Sequence, residues 1–285
     1  MSLVIAEISY TNILPMFYYV DREKLKHAGC EFVPAIPSQL NQDMADGKVH
    51  VGGISSFAYG EHSEEYQVLP DLSVSAMKQV GSIFLFSKKP IEELGGASIA
   101  LTSSSATSVN LLKIILSKFY QLNVTYTTMA PNYSVMMNDH DACLLIGDDA
   151  ILTSFSKQDA IYQYDLGCLW KLFTGFPMTF ALFAIRKEAW EKHGELLAEV
   201  HRQFLKSKLL SRNNRFSEMI TSIRVQLGGT TDFWQTYFAG LNYELTETHL
   251  EGLHHFYDLA YELNLLTQKV NKVSIWNPTE NFHSV

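Results

Sequence analysis

Ala97-Ser-Ile-Ala-Leu-Thr-Ser-Ser-Ser-Ala-Thr-Ser-Val-Asn-Leu-Leu-Lys-Ile-Ile-Leu116 passes from an apolar strand, through six hydroxyl residues around one alanine, into an apolar helix. A strand that feeds a helix in this way is the building unit of an α/β fold. Thr102, Ser103, Ser104, Ser105, Thr107 and Ser108 fall at the junction. Free backbone N–H groups, hydroxyls and the positive end of the helix dipole therefore converge there. One hydroxyl is enough to cap a helix. Six predict, in addition, a seat for a carboxylate or phosphate. The loop carries neither a Gly-x-Gly-x-x-Gly nor a Gly-Lys-Ser/Thr signature, which turns the expectation from a nucleotide to a small acid.

Upstream, Leu3 to Ser9 reads as a buried strand that Tyr10-Thr11-Asn12 and then Pro15 convert into a loop or short helix. Polar groups at the C-terminal end of a strand are where open α/β sheets hold ligands. Asn12 has donors and an acceptor for a ligand, or alternatively for an Asx-turn that closes the loop. Cys30 to Ile36 is an edge strand because it contains Pro34, and Pro37 opens a helix that ends at Gly47. Val49 to Ile54 follows as a strand, and Ser55-Ser56 forms a second, weaker anion-capable turn. Strand, helix and strand in this order predict parallel pairing. Gln67 to Met77 and Gly81 to Ser87 are extended, and Ser82 heads the latter as a ligand donor or a plain strand-end hydroxyl. Lys88-Lys89-Pro90 and Gly95-Gly96 then mark a crossing into a second lobe.

Downstream, that lobe takes in Val124 to Met129, a helix from Asn132 to Asp139 and the strand Ala142 to Ile146. The strand ends in Gly147-Asp148-Asp149-Ala150, whose acids suit acid/base work, metal ligation or the N-cap of a helix from Ala150 to Phe155. No second acidic cluster stands at ligand spacing, so no metal is expected. Asp165 to Trp170 and Phe173 to Met178 lead into Thr179 to Ile185, which returns the chain to the first lobe and puts Phe173 to Pro177 at the cleft. From Lys187 the chain is helical: Lys187 to Leu210, Asn214 to Leu227, Thr231 to Ala239 and Thr246 to Leu263 show 3.6-residue apolar spacing. The expected lobes are 1–88 with 180–285, and 89–179.

The 285 residues carry a net charge of −8, which argues against nucleic acid as a partner. The basic stretch Arg202 to Arg215 reads as a solvated helix face. Cys30, Cys143 and Cys168 lack Cys-x-x-Cys spacing, so a reducing compartment is expected. The ten histidines include no His-Glu-x-x-His. No secretory leader pattern and no apolar run of membrane length is present. The expectation is a cytoplasmic protein without a membrane partner.

In order and spacing, Tyr10-Thr-Asn12 with Pro15, Gly81-Ser82, Thr102 to Ser108, Ile146-Gly-Asp-Asp-Ala150, Asp165-Leu-Gly167 with Trp170, and Thr174-Gly-Phe-Pro177 resemble the chorismate dehydratase family of the futalosine-dependent menaquinone pathway. His50 departs from the pattern, which usually has an acid there. The resemblance implies an α/β, two-lobed fold of the type II periplasmic-binding-protein kind, with the ligand in the cleft between lobes. It implies a hydro-lyase that uses no cofactor and converts chorismate to 3-[(1-carboxyvinyl)oxy]benzoate and water. It assigns Asn12 and Ser82 to the reacting ring, and Ser103, Ser104, Ser105, Ala106 and Thr107 to a substrate carboxylate, with Asp148, Thr174 and Gly175 completing the substrate set. With no His or Glu in these motifs to act as base, the substrate's own enolpyruvyl carboxylate is expected to take the proton, held by Asn12. A homodimer is compatible with this reading. Two alternatives stand beside it. The sister enzyme forming 1,4-dihydroxy-6-naphthoate has a His-Glu pair where this chain has Gly147-Asp148; the other alternative is a solute-binding protein without a reaction.

Overall fold

The computed structural model describes residues 2–8, 10–156 and 160–277, among which eleven strands form two sheets. The expected end of the first strand, at Ser9, lies outside the described residues. β1 (Leu3–Ile8) pairs in parallel with β2 (Cys30–Ala35), and β3 (Val51–Ser55) joins β1 on its other side, also in parallel. β4 (Tyr66–Ala76) runs antiparallel to β10 (Met178–Arg186), which itself runs antiparallel to β3. With the short β11 (Leu241–Asn242) on β4, the first sheet has the order β11-β4-β10-β3-β1-β2. Pro34 sits in β2 at the open edge, where its missing N–H breaks no ladder.

The second sheet has the order β7-β6-β8-β5-β9, built from β5 (Ile83–Ser87), β6 (Ser98–Thr102), β7 (Thr125–Met129), β8 (Ala142–Ile146) and β9 (Tyr162–Asp165). This corrects the expected boundary at Lys88. β5 pairs antiparallel with β8 and β9, so it belongs to the second sheet and the crossing occupies residues 77–82. Its near-continuous apolar run fits a strand buried on both faces in either sheet, so the run itself did not choose one. The chain returns through β10, beside its outgoing strand β4, with Met178 opposite Ala76.

The four C-terminal helices lie close to their expected places, at Lys187–Asn213, Ser217–Leu227, Thr231–Gly240 and Glu247–Glu262. A helix at Leu166–Thr174 was not foreseen; Asp165 caps it by accepting from Cys168 N. The helix after β8 begins at Gly147 rather than Ala150, which moves Asp148 and Asp149 from the cap position into the first turn.

Two glycines in β3 bring the cleft together. A Cβ on Gly53 would stand 2.4 Å from Ile13 Cδ1, and one on Gly52 would stand 2.9 Å from Leu40 Cδ1. Bare backbone at these points lets the turn that follows β1 and the Pro37–Ala45 helix lie directly on the sheet.

Candidate functional site

A narrow cleft opens between the sheets. Its apolar walls come from Ile8, Ile13, Val74, Ile83, Ile146 and Phe180, and its polar lining from Asn12, Ser55, Ser104, Ser105 and Ser108. Asn12 lies in the 3₁₀ turn Thr11–Ile13 that caps the end of β1. Its half-buried carboxamide makes no hydrogen bond among the described residues, so it faces the cleft free and no Asx-turn forms.

On the opposite wall, the hydroxyl-rich loop divides its labour. Ser105 caps the Ala106–Ile114 helix by accepting from Ser108 N at 3.1 Å. Thr102 Oγ1 accepts from Ser104 N within the turn. Thr107 is buried and joins the lobes: it donates to Phe180 O at 3.1 Å and accepts from Phe57 N at 3.0 Å. Of the expected anion seat, Ser104 and Ser105 line the cleft, joined by Ser108, whereas Ser103, Ala106 and Thr107 do not. Ser55 caps its own helix through Ala58 N and is held by Asn41, so the second turn is committed to structure while it also lines the cleft.

Gly147 reaches the cleft at the start of the Gly147–Phe155 helix. It adopts φ +58°, and a Cβ there would meet the Tyr10 ring at 3.3 Å. Two helix N-termini therefore flank the same space, and among the described residues no Lys or Arg lines it. Anion recognition in such a site rests on peptide dipoles and hydroxyls.

Asp148 turns away from the cleft toward Thr11. Its Oδ1 accepts from Thr11 Oγ1 at 2.6 Å and, at 3.4 Å, from Thr11 N. Burial pushes its carboxyl above the ordinary aspartate range, against the pull of these two donors. The Tyr10 hydroxyl is likewise pushed up by burial, and Ser104 opposes the rise. Ser82 is fully buried behind the wall formed by Ile83 and Gly147, and its carbonyl accepts from Gly147 N at 2.7 Å.

Thr174 and Gly175 stand apart from this space. Thr174 Oγ1 donates to Trp170 O and accepts from Phe176 N, and Gly175 takes φ +74° to end the Leu166–Thr174 helix. Both serve the turn that closes the helix, and the helix itself is what the sequence reading lacked. At His50, the departure from the family pattern carries its own hydrogen bond, because Nδ1 accepts from Val4 N at 2.9 Å. Ser108 keeps its expected place in the hydroxyl seat, whereas Gly147 and Thr11 carry no role in the sequence motifs that contain them. The buried threonine beside a ligand-type asparagine was the available signal.

The cleft volume is about 60 Å³, well below the roughly 300–1,000 Å³ of small-molecule sites. A ligand of ordinary size enters it only if its walls part.

The comparisons agree with this architecture. A family profile described as menaquinone biosynthesis matches residues 3–262. A Thermus thermophilus protein named chorismate dehydratase is 28% identical over 270 residues, which cover 87% of this chain and 91% of that protein. In structure, a protein of Archaeoglobus fulgidus matches with a TM-score of 0.71 at 19% identity, covering 93% of this chain and 98% of its own. The periplasmic aliphatic sulphonate-binding protein of Escherichia coli matches with a TM-score of 0.70 at 16% identity, covering 98% and 92%. At such identities these two show the fold alone: the two-lobed periplasmic-binding-protein fold.

Proposed function

The chain belongs to the menaquinone biosynthesis family, and from that premise we propose that it is a chorismate dehydratase, a hydro-lyase that forms 3-[(1-carboxyvinyl)oxy]benzoate and water. The observation that carries the reading is the lining of one cleft by Asn12 and by the Ser104, Ser105 and Ser108 hydroxyls at a helix N-terminus. The relative named chorismate dehydratase supports it over most of the chain.

The chemistry suits such a lining. The proton on the ether-bearing ring carbon leaves first, and the electron pair of that C–H bond spreads through the neighbouring double bond into the ring carboxylate. The adjacent hydroxyl then departs, takes up a proton to become water, and the ring becomes aromatic. The two helix N-termini and the serine hydroxyls hold carboxylate charge, while apolar walls exclude water from the ring. Among the described residues no basic side chain lines the cleft, so the enolpyruvyl carboxylate serves as the base and Asn12 holds it against the ring proton. The enzyme's contribution is then orientation and charge stabilisation.

The test is incubation of the purified protein with chorismate, read by loss of the diene absorbance and by mass spectrometry. A product lighter than chorismate by one water is the expected result. Thermal stabilisation by chorismate without turnover would instead make the protein a binder, and unchanged chorismate with no stabilisation would remove both readings.

A further inference from the structure

The basic stretch Arg202 to Arg215 is not a uniform solvated face. Arg202 pairs with Glu199, Lys208 donates to Asp71 O at 2.6 Å, and Arg212 pairs with Glu244 through Nη1. Arg215, at the end of the stretch, makes no side-chain hydrogen bond or ion pair among the described residues. It lines a cavity of about 340 Å³ that shares no residue with the cleft. That volume falls within the range of small-molecule sites.

The cavity is both cationic and aromatic. Arg212 and Arg215 bring two guanidinium groups to it, and among the described residues no acid lines it, because Glu244 stands outside the lining. Phe216 and Phe238 bring a stacked ring pair, with centroids 5.1 Å apart at 24°. Tyr243, only 2% exposed, also lines the cavity, and its buried hydroxyl has no hydrogen-bond partner. Open buried hydroxyls are costly and uncommon. The backbone beside them is strained: Arg215 and Phe216 take φ +53° and +59° in succession, a conformation rare for residues of their size. Such strain persists only where the surrounding structure holds it, and it gathers at ligand clamps.

We propose that this cavity is a second ligand site, separate from the cleft, for a small organic acid with a flat apolar body. Arg215 takes the carboxylate with Arg212 beside it, and the Phe216 and Phe238 pair takes the body. A guanidinium meets a carboxylate through two parallel N–H bonds, which a lysine cannot reproduce. In a chain of net charge −8, an unpaired guanidinium in a cavity without acids is a local exception that selects anions. The ring pair selects an organic anion over an inorganic one. The site owes nothing to the chemistry of the cleft, so its test uses no turnover.

The test is calorimetric titration of the whole protein with benzoate, with benzamide and inorganic phosphate as controls. Benzoate is expected to bind, and both controls to bind at least 10-fold more weakly, since each lacks one of the two recognised features. Arg215→Gln is expected to weaken benzoate about 10- to 100-fold, the worth of a hydrogen bond to a charged group. Its melting temperature is expected to stay level, because the side chain supports no other group among the described residues. Arg215→Lys keeps the charge without the fork and is expected to show a smaller loss. Asn12→Ala is expected to leave benzoate affinity unchanged, which sets the site apart from the cleft. Unchanged affinity in either Arg215 variant, or an equal loss in Asn12→Ala, overturns the proposal. Benzamide or inorganic phosphate binding as tightly as benzoate overturns it too. So does an absence of binding below about 10 mM, the range that ordinary ligand efficiency sets for an acid of this size.

Discussion

Two buried polar seams run through this molecule and are built in opposite ways. Where the Lys187–Asn213 helix lies on the first sheet, buried side chains reach main-chain carbonyls. Ser207 donates to Pro15 O at 2.8 Å, Lys208 to Asp71 O at 2.6 Å, and His201 Nε2 meets Pro70 O at 2.9 Å. Where the lobes meet, the hydroxyls of Ser82, Thr179 and Tyr237 are left open, and burial pushes the Asp148 and Asp165 carboxyls up. Tyr66, Asn214, Tyr243 and Trp276 also leave a polar atom open, and like Ser82, Thr179 and Tyr237 they stand outside the lining of the cleft. The first seam spends its polar groups on folding. The second leaves polar groups open, and on the cleft itself the Asn12 carboxamide makes no hydrogen bond among the described residues, which is the usual exchange between stability and a site.

Asn12→Ala breaks the contrast most sharply. Turnover of chorismate is expected to fall about 100-fold or more, the scale set by removal of one orienting donor. The unfolding midpoint is expected to hold, because the carboxamide supports no other group among the described residues. Retention of most of the turnover would move the orienting role elsewhere in the cleft.

Thr11→Val sharpens it next. Asp148 loses its hydroxyl donor and keeps only the long contact to Thr11 N, at an expected cost of about 1.5–3 kcal/mol for a bond to a charged group. The Asp148 carboxyl already stands above its ordinary range because of burial, and loss of the donor raises it further. An acid whose pKa is raised by folding adds stability that is full below its unfolded value and lost as pH rises through the folded value. The deficit of Thr11→Val is therefore greatest near neutral pH and shrinks at about pH 4 and below. Urea unfolding at both pH values measures it, and an equal deficit at both would uncouple Thr11 from the titration of Asp148.

Much of the fold was legible because it is periodic. The strand runs and the C-terminal helices stand in the sequence as patterns of 2 and 3.6 residues, and glycines close their ends. The assignment of β5 to a lobe was not legible, because a fully apolar strand does not say which sheet will pair with it. The site was readable wherever one residue acts locally, as with Asn12 at the end of β1 or Ser105 at a helix start. It was hidden wherever a residue acts across sequence distance. Thr107 reads as one more hydroxyl of an anion loop, and only its hydrogen bonds with Phe57 N and Phe180 O turn it into a bridge between lobes. Tyr237 reads as one aromatic of a helix face, and only the crossing at residues 77–82 brings Gly81 against its ring.

The smallest expected effect lies on the satisfied seam. Glu199, on the Lys187–Asn213 helix, accepts from Lys24 at 2.7 Å, from Gln203 at 2.9 Å and from Arg202 at 2.5 Å, and these partners pull its carboxyl down to about 2. A lowered acid works in the opposite sense to Asp148: its contribution is present above the unfolded value and is lost as pH falls toward the folded one. Glu199→Gln should therefore flatten the acid limb of the stability curve between pH 4.5 and about 2 while leaving turnover untouched. Lys24 and Arg202 are mostly exposed, at 58% and 68%, so solvent screening holds the loss near pH 7 to about 1 kcal/mol or less. An acid limb as steep as that of the wild type would mean that carboxylates elsewhere set it. A fall in turnover would mean that the two seams are coupled through Pro15 and the turn that carries Asn12, and the separation between folding polarity and functional polarity would then have to be redrawn.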